Sequence, residues 1–599
     1  MFFLMAAAAL GAETSAFLSV KIAADHPGLE TLAVDSLGRT NFPPLILRPH
    51  ASQPSAVSRP GLNRVEYRSP SLTAESTPRW AIEARSQEIR FVSHWTPADP
   101  PEPLVLDFDP EVCKATLLGL FDTNGGIKLP AILHLPGRGS LRITADKTAP
   151  ALGYDATLEG GGFVRVTFPG ATSQNPSVAY RLAVTAIYPA IPSLPTLDTD
   201  PRFDGFRRNW LNIFQLHPRR RVLANNTGSD NCAFCYYMYA DIARQTPALA
   251  PHLTALDIVR QTLDAILRGV DAYGMPGHGA FPEFSADTYP SLLIAAADYV
   301  EGARDHKWLA QNYPALRAWA DKMLATDHSG DGLIEYTLSG NAGSWPEQLK
   351  FRPANWWDTI GFGHQDAYAN ALAYRALGEM SKLAESAGQP ADALRFQTAA
   401  HKLHDAYFKT FFDPATGVLA GWRSADGQLH DYYFLWVNGI AIDYGLVPPT
   451  QGPAIMDRLL RKMRDVNYTN FALGLPGNLV PVARRDYVDL NPRFGGGRKD
   501  DNSDGFQRYE NGGATACYAY FTLAALYDIG RPDDADRIFF PMLAAFGQNG
   551  FDGRGPNGLT KDWKAWDGTC WGYEGLLVDN YYTLLALLKR QIPVPAPGD

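Results

Sequence analysis

Carboxylates stand beside aromatic side chains in three segments of the second half of the chain. The residues of this kind are Trp356, Trp357, Asp358, Tyr509, Glu510, Asp567, Trp571, Tyr573 and Glu574. Aromatic faces pack against sugar rings, and paired carboxyl groups cleave glycosidic bonds. These segments therefore predict a carbohydrate site with the chemistry of glycoside cleavage.

Asp358 is the candidate proton donor, because it directly follows Trp356 and Trp357. Indole rings create a low-dielectric pocket that disfavours an ionised carboxyl group and raises its pKa. Such a group can protonate a leaving oxygen. The structural alternative makes both tryptophans core anchors and Asp358 the cap of a short turn.

Glu574 is the first candidate for the general base, since it lies in the first turn of the last predicted helix, where the helix dipole stabilises an anion. Glu510 is the reserve candidate; the neighbouring Asn511 could equally cap a helix. Further predicted sugar contacts, in loops or at helix ends, are Glu347, Asp287, His364, Gln365 and Trp436.

Twelve helices are predicted after Arg202, where apolar residues recur with a period of 3.6. They span about 202–219, 231–245, 255–272, 288–303, 306–326, 363–386, 390–411, 433–445, 450–466, 512–529, 532–547 and 574–590. Twelve helices in six hairpins form an (α/α)6 toroid, in which alternate loops converge on one funnel. Two long connections, 327–362 and 467–511, carry much of the predicted chemistry, as long ordered loops often do.

The first part of the chain has the alternation and turn signals of short strands, which predicts a β-sandwich over residues 20–190. A proline-rich linker follows at 191–201, and the (α/α)6-barrel domain is predicted over 202–592. Residues 1–15 resemble a signal peptide that ends in small residues, although a basic start is missing. We therefore expect a periplasmic or secreted multidomain protein.

Composition excludes several classes of partner. The 599 residues carry a formal net charge of −9, which argues against nucleic acid. Beyond residue 12 no apolar run is long enough to span a bilayer. Five cysteines do not make a disulfide framework. The expected partner is a carbohydrate substrate, and the sequence gives no prediction of the oligomeric state.

No cofactor is required by this chemistry, and no catalytic metal is predicted. The segment DHSGDGLIEY places Asp327 and Asp331 at the first and fifth positions of an EF-type calcium loop. Position twelve is Leu338, where such a loop needs a bidentate glutamate. A turn is the favoured interpretation, with a structural calcium ion as the lesser alternative.

The whole chain resembles the six-hairpin glycosidases, a group that includes trehalases, mannosyl-oligosaccharide glucosidases, glucoamylases and disaccharide phosphorylases. The resemblance is carried by DGLIEY, by Trp357–Asp358, by YENGGATACYAYF and by the closing WGYEGLLVDNYY. It implies an inverting mechanism with Asp358 as the acid, Glu574 as the base and Glu510 in reserve. The deep funnel expected of such a toroid favours exo-attack on an oligosaccharide over attack within a polymer.

Three other functions stay open at this point. A phosphorylase would replace water with inorganic phosphate, for which Arg498 and the adjoining GGG are the only support. The chain has Asn355-Trp356-Trp357-Asp358 where cellobiose phosphorylases have Gly-Asp-Trp-Asn-Asp, which favours hydrolysis. A polysaccharide lyase is disfavoured by the acid-lined loops, and a non-catalytic glycan-binding protein would need only the aromatics.

Overall fold

The fold is taken from a computed structural model of the chain. It describes residues 12–39, 44–50, 55–73, 75–146, 149–157, 162–225, 233–269, 285–336, 354–357, 359–572, 575 and 577–590. By their contacts the residues group into two units. The first unit comprises Met1–Pro189, Arg207–Leu223 and Thr246–Gln261, and the second comprises Ala190–Phe206, Ala224–Gln245 and Thr262–Asp599.

Fifteen strands in the described part of the first unit form three antiparallel sheets. They are β1 Ala12–Thr14, β2 Leu18–Ile22, β3 Leu29–Val34, β4 Leu45–Ile46, β5 Ala56–Gly61, β6 Arg64–Arg68, β7 Trp80–Arg85, β8 Glu88–His94, β9 Leu104–Phe108, β10 Thr116–Leu118, β11 Ala131–Leu135, β12 Gly139–Ala145, β13 Gly153–Thr157, β14 Phe163–Phe168 and β15 Ser177–Thr185. The strand orders are β1-β2-β3-β4, β10-β11-β12-β15-β8-β7-β6-β5 and β13-β14-β9. Strand content is confirmed here, whereas the sandwich packing and the domain boundaries stay predictions.

A helix lies at each of the twelve predicted positions. The helices are α1 Asp204–Asn209, α2 Tyr236–Gln245, α3 Ala255–Leu267, α4 Thr288–Ala303, α5 His306–Leu324, α6 Ala367–Ser386, α7 Pro390–Phe411, α8 Leu435–Asp443, α9 Gly452–Asp465, α10 Ala519–Asp528, α11 Pro532–Gly547, α12 Val578–Tyr582 and α13 Ala586–Lys589. The predicted first helix, 202–219, is wrong beyond Asn209. The last one is divided by a 3-10 turn at Thr583–Leu585.

Alternate helices of the second unit form a closed inner ring. Contacts run from α2 to α4, α6, α8 and α10, then through α13 and α12 back to α2. The inner helices α4, α8 and α10 are buried almost all round. The outer helix α9 instead buries one face that includes Ile455, Leu459 and Met463. Short connections join α4 to α5, α6 to α7 and α10 to α11, which makes each pair a helical hairpin.

The connections between hairpins carry short strands. They are β16 Leu216–His217, β17 Val222–Leu223, β18 Gln365–Asp366, β19 Phe412–Asp413, β20 Val418–Leu419, β21 Trp422–Arg423, β22 Leu429–His430, β23 Leu475–Pro476, β24 Ala514–Thr515, β25 Thr560–Lys564 and β26 Cys570–Gly572. The last four form one sheet in the order β23-β24-β25-β26. Within the described residues no helix is both long and apolar enough to cross a bilayer.

Candidate active site

The segment Asn355–Trp357 lies where the N-terminal ends of the six inner helices α2, α4, α6, α8, α10 and α12 meet. Each of those helices sends one residue from its N-terminal end to this segment. These residues are Phe234 before α2, Asp287 before α4, Asp366 before α6, Trp436 in α8, Tyr518 before α10 and Asp579 in α12. The predicted convergence of alternate loops at one end of the ring is therefore present around this segment.

Trp356 is held by two buried carboxyl groups that come from distant parts of the sequence. Its backbone N–H donates to Asp287 Oδ2 at 2.8 Å, and its indole Nε1–H donates to Asp579 Oδ2 at 2.6 Å. Phe234 stacks on its ring with centroids 4.5 Å apart. Next to it, Asn355 Nδ2 donates to Asp366 Oδ2 at 2.7 Å.

Trp357 is 1% exposed and lies in an aromatic cluster. Its ring stacks on Trp436 at 5.0 Å and on Tyr518 at 5.5 Å between centroids, and Trp563 meets it edge-on at 5.0 Å. Trp436 is itself 2% exposed. Trp357, predicted as a sugar-stacking residue, and Trp436, predicted as a sugar contact, therefore both pack against protein side chains.

Glu510 is tied to the residue that follows Asp358. Its Oε2 accepts from the Thr359 backbone N–H at 2.7 Å and lies 2.5 Å from Thr359 Oγ1. Glu510 is buried, with only 3% of its surface exposed. Asp358 itself, like Glu347, Tyr573 and Glu574, lies outside the described residues.

A small cavity joins the acids and aromatics just described. Its volume is about 10 Å³, room for about one water molecule. It is lined by Trp356, Trp357, Tyr509, Glu510, Cys517, Trp563, Leu577 and Asp579. Two acidic residues, three tryptophans and a tyrosine thus line one space, and Asp579 and Trp563 among them were not predicted from the sequence.

Burial shifts the titration of three carboxyl groups at this end of the ring. It raises the pKa of Asp579 to about 6, although Cys517 and Trp356 donate to that carboxylate. Burial likewise raises the pKa of Asp366 to about 7 against the opposing bonds from Ala369, Asn355 and Tyr368. The pKa of Asp287 rises well above its usual range for the same reason. Raised values of this kind suit proton donors.

The sequence patterns did not single out Asp366 or Asp579. Asp366 caps α6 by accepting from the N–H groups of Tyr368 and Ala369. Asp579 accepts from the Cys517 thiol at 2.9 Å as well as from Trp356. The available signal was an acid in the first turn of a helix whose neighbours are otherwise aromatic or apolar, as in LVDNYY.

The predicted contacts Tyr509, Trp571 and Asp567, in the last two connections between helical hairpins, differ in burial. Tyr509 is 5% exposed, and its ring lies 4.8 Å from that of Trp563. Trp571 is half-buried beneath the Arg508 guanidinium, 4.6 Å from the ring centroid. Asp567 is exposed and accepts from Thr569 N at 2.8 Å, which lowers its pKa and closes the turn between β25 and β26.

His364 and Gln365 lie in a different cluster, with the acids of the predicted calcium loop. His364 Nε2 is 3.5 Å from Glu335 Oε2, and Gln365 Nε2 donates to Asp331 Oδ2 at 2.8 Å. Ligand oxygens of Asp327, Asp331 and Glu335 lie within 4.8 Å of one another, so these three residues could hold a cation.

Lys402 bonds to one side of the acidic cluster formed by Asp327, Asp331 and Glu335. Its ammonium donates to Asp327 Oδ2 at 3.3 Å and to the Gly330 carbonyl at 2.7 Å. Gly332 N–H also donates to Asp327, and Leu333 N–H donates to Asp331. These bonds form an ion-paired turn, and calcium binding stays the lesser alternative.

The comparisons with known proteins agree with a glycosidase domain. Residues 276–478, about a third of the chain, match the family model described as bacterial alpha-L-rhamnosidase 6 hairpin glycosidase domain. This match confirms the resemblance to the six-hairpin glycosidases for that segment of the chain. No curated protein matches the chain.

Solved structures of glycosidases are similar at low identity. A rhamnosidase from Klebsiella oxytoca with rhamnose bound is 12% identical, with 96% of this chain and 94% of that chain covered and a TM-score of 0.42. A GH78 family rhamnosidase of Bacillus sp. GL1 is also 12% identical, with 87% and 49% covered and a TM-score of 0.40; the chain thus spans about half of its length. The GH63 mannosylglycerate hydrolase from Thermus thermophilus is 14% identical, with 63% and 98% covered and a TM-score of 0.39.

Proposed function

We propose that the helical unit is an inverting, exo-acting glycosidase, and that a terminal α-L-rhamnoside is the substrate class to test first. The observation that carries the proposal is the shared cavity of Glu510 and Asp579, walled by Trp356, Trp357 and Trp563. The choice of rhamnose rests on the family model that matches residues 276–478.

The proposed reaction needs one acid and one base on opposite faces of the sugar. Asp358 gives its proton to the glycosidic oxygen as the bond to the anomeric carbon breaks. A base carboxylate takes a proton from a water molecule, whose oxygen bonds to that carbon from the opposite side. The two carboxyl groups then stand roughly 6.5–9.5 Å apart.

Glu574, Glu510 and Asp567 are the acids that the sequence leaves open as the base, and the described contacts support Glu510. Its carboxylate lines the cavity and accepts two short bonds from Thr359, the neighbour of Asp358 in the chain. Hydrogen bonds donated to a carboxylate stabilise its ionised form, which is the form that a general base requires. Glu574 keeps its support from the resemblance.

Asp579 and Asp287 have a positioning role in this proposal. Together they fix both polar ends of Trp356, its backbone N–H and its indole N–H. A tryptophan held at two points keeps its ring in one orientation, which preorganises the wall of the sugar site.

The glycine-rich loop before Glu510 gives little support to phosphorolysis. Gly497 N–H donates to Asn502 Oδ1 at 2.5 Å, and the N–H groups of Arg498 and Lys499 donate to Asp504. Backbone donors that would cradle a phosphate are therefore already bound within the loop.

Proton NMR with α-L-rhamnosides and a panel of other α- and β-linked oligosaccharides tests the proposal, in phosphate-free buffer. A first product with the opposite anomeric configuration is expected, and Asp358→Asn should abolish it. Glu385→Gln, on the exposed end of α6, is the matched control. Retained configuration contradicts the inverting mechanism, turnover only with phosphate establishes a phosphorylase, and an unsaturated product establishes a lyase. Binding without turnover by the wild type would indicate a glycan-binding protein.

A further inference from the structure

Arg508 is a cation beside the candidate active site whose only described side-chain contact is an aromatic ring. Its guanidinium lies over Trp571, 4.6 Å from the centroid, and both residues are half-buried. Among the described residues no carboxylate pairs with this guanidinium and no acceptor bonds to it. The guanidinium is therefore not neutralised by an acid of the described chain.

The sheet topology puts Trp571 on the strand that pairs with the one carrying Trp563. Trp563 lies in β25 and Trp571 in β26, and these strands pair directly, with a register shift between Thr560 and Lys564. Trp563 lines the cavity and contacts Tyr509.

Arg508, the other member of the stacked pair, is connected to the cavity by its position in the chain. Arg508 immediately precedes Tyr509 and Glu510, which both line the cavity. Both members of the stacked pair are thus connected to cavity residues, Trp571 through the pairing of β25 with β26 and Arg508 through the backbone. Both are half-buried, so a ligand in solution can reach them.

A guanidinium stacked on an indole keeps its in-plane N–H donors free. Those donors form a planar fork that matches the two oxygens of a carboxylate. The indole beneath also offers apolar surface to a neighbouring sugar ring. Stacking fixes the orientation of the fork in advance, so less conformational entropy is lost when an anion binds.

We propose that Arg508 and Trp571 form a subsite for a uronic acid, the sugar that carries a carboxylate, next to the bond that is cleaved. This inference rests on the proposed glycosidase function for the position of the cleaved bond, but the binding itself does not require turnover. The natural substrate class would then be an acidic oligosaccharide with a neutral terminal sugar. Arg508 acts here as a specificity-determining residue.

Isothermal titration calorimetry of the full chain with a uronic acid monosaccharide tests the subsite directly. The corresponding neutral sugar and a sulfated sugar serve as comparison ligands. The uronate is expected to bind about tenfold more tightly than the neutral sugar, the difference typical of a hydrogen-bonded charge. Arg508→Gln should abolish that preference, and Arg508→Lys should retain only part of it because an ammonium lacks the fork.

Arg461→Gln, on an exposed position of α9, is the matched control for the change of charge. Equal affinity for uronate and neutral sugar, an unchanged preference in Arg508→Gln, or tighter binding of the sulfated sugar would overturn the proposal.

Kinetic measurements distinguish failure of the uronate subsite from failure of the proposed glycosidase function. If Arg508→Gln lowers turnover equally on neutral and acidic glycosides, Arg508 serves the reaction centre and not the uronate. If uronate binds but no glycoside is cleaved, only the glycosidase proposal fails.

Discussion

Arg375 on α6 links two other helices of the inner ring through buried carboxylates, and replacing it should weaken the ring strongly. Its guanidinium donates to Asp241 Oδ1 and Oδ2 at 2.8 and 3.0 Å and to Asp298 Oδ2 at 2.9 Å. Asp241 belongs to α2 and Asp298 to α4. Tyr582 of α12 also donates to Asp241 at 2.7 Å.

The magnitude follows from leaving Asp241 without its cationic partner, because Asp298 keeps its ion pair with Arg244. Removing one partner of a buried ion pair costs about 3–5 kcal/mol of unfolding free energy. Arg375 keeps 17% side-chain exposure, whereas Asp298 is 2% exposed. Because partial exposure screens the arginine, we expect Arg375→Met to cost about 3 kcal/mol, the lower end of that range.

The cost should depend on pH with a sign fixed by Asp241. Burial opposes ionisation of that carboxyl group, but the charge and hydrogen bonds of Arg375 outweigh it and hold its pKa below the usual range. Stability from such a group is present above the unfolded pKa and is lost as pH falls through the folded pKa. The difference between wild type and Arg375→Met should therefore shrink in acid.

Urea unfolding followed by the helical signal of circular dichroism measures this difference, with Arg461→Met as a surface control. In the Asp241→Asn background the cost of Arg375→Met should fall by about 1–3 kcal/mol, because one orphaned charge is already gone. A loss below about 1 kcal/mol, or a loss that grows in acid, would refute the assignment of Arg375 as a tie between ring helices.

Three further changes test Glu510, Asp579 and the acidic turn around Asp327. Glu510→Gln should lower kcat on a cleaved glycoside about 100-fold or more if Glu510 is the base, with unfolding unchanged by circular dichroism; activity near that of Glu385→Gln would assign the base elsewhere. An acid whose folded pKa is raised binds its proton more tightly when folded, so the wild type should lose about 2–3 kcal/mol of unfolding free energy as pH rises from about 4 to 6. Asp579→Asn should abolish this pH-dependent loss. Parallel pH profiles of the two proteins in urea unfolding would contradict this. Lys402→Met should make the melting temperature rise with added calcium, because it removes the ammonium that neutralises Asp327, and an unresponsive variant would leave the acidic turn without a cation role.

Helix positions were predictable where the apolar period and the end signals agree. The predicted bounds of α4, α7 and α11 are confirmed to the residue. The first predicted helix is wrong because Asn209 and Asn212 bond to each other and Asn212 Oδ1 bonds to His134, so polar side chains compete with the helical backbone. Periodicity in NWLNIF concealed that competition.

The site was predictable in composition but not in geometry. The Trp-Trp pair and Glu510 could be read from their segments, yet the partner of Trp356 turned out to be Asp579, 223 residues away in the chain. No local pattern encodes a contact over that separation. Asp366 was hidden for another reason, since a capping aspartate and a buried aspartate have the same sequence signature.

Trp356 shows why the two ends of the helical unit depend on each other for a working site. One of its donors goes to the residue before α4, near the start of the ring, and the other goes to α12 at its end. If the ring opened between α12 and α2, Asp579 would leave and a buried indole N–H would lose its acceptor, which costs about 1–3 kcal/mol. The closure of the ring and the orientation of Trp356, the proposed sugar wall, are therefore coupled, and a variant that loosens α12 should lose glycoside binding before it loses helix content.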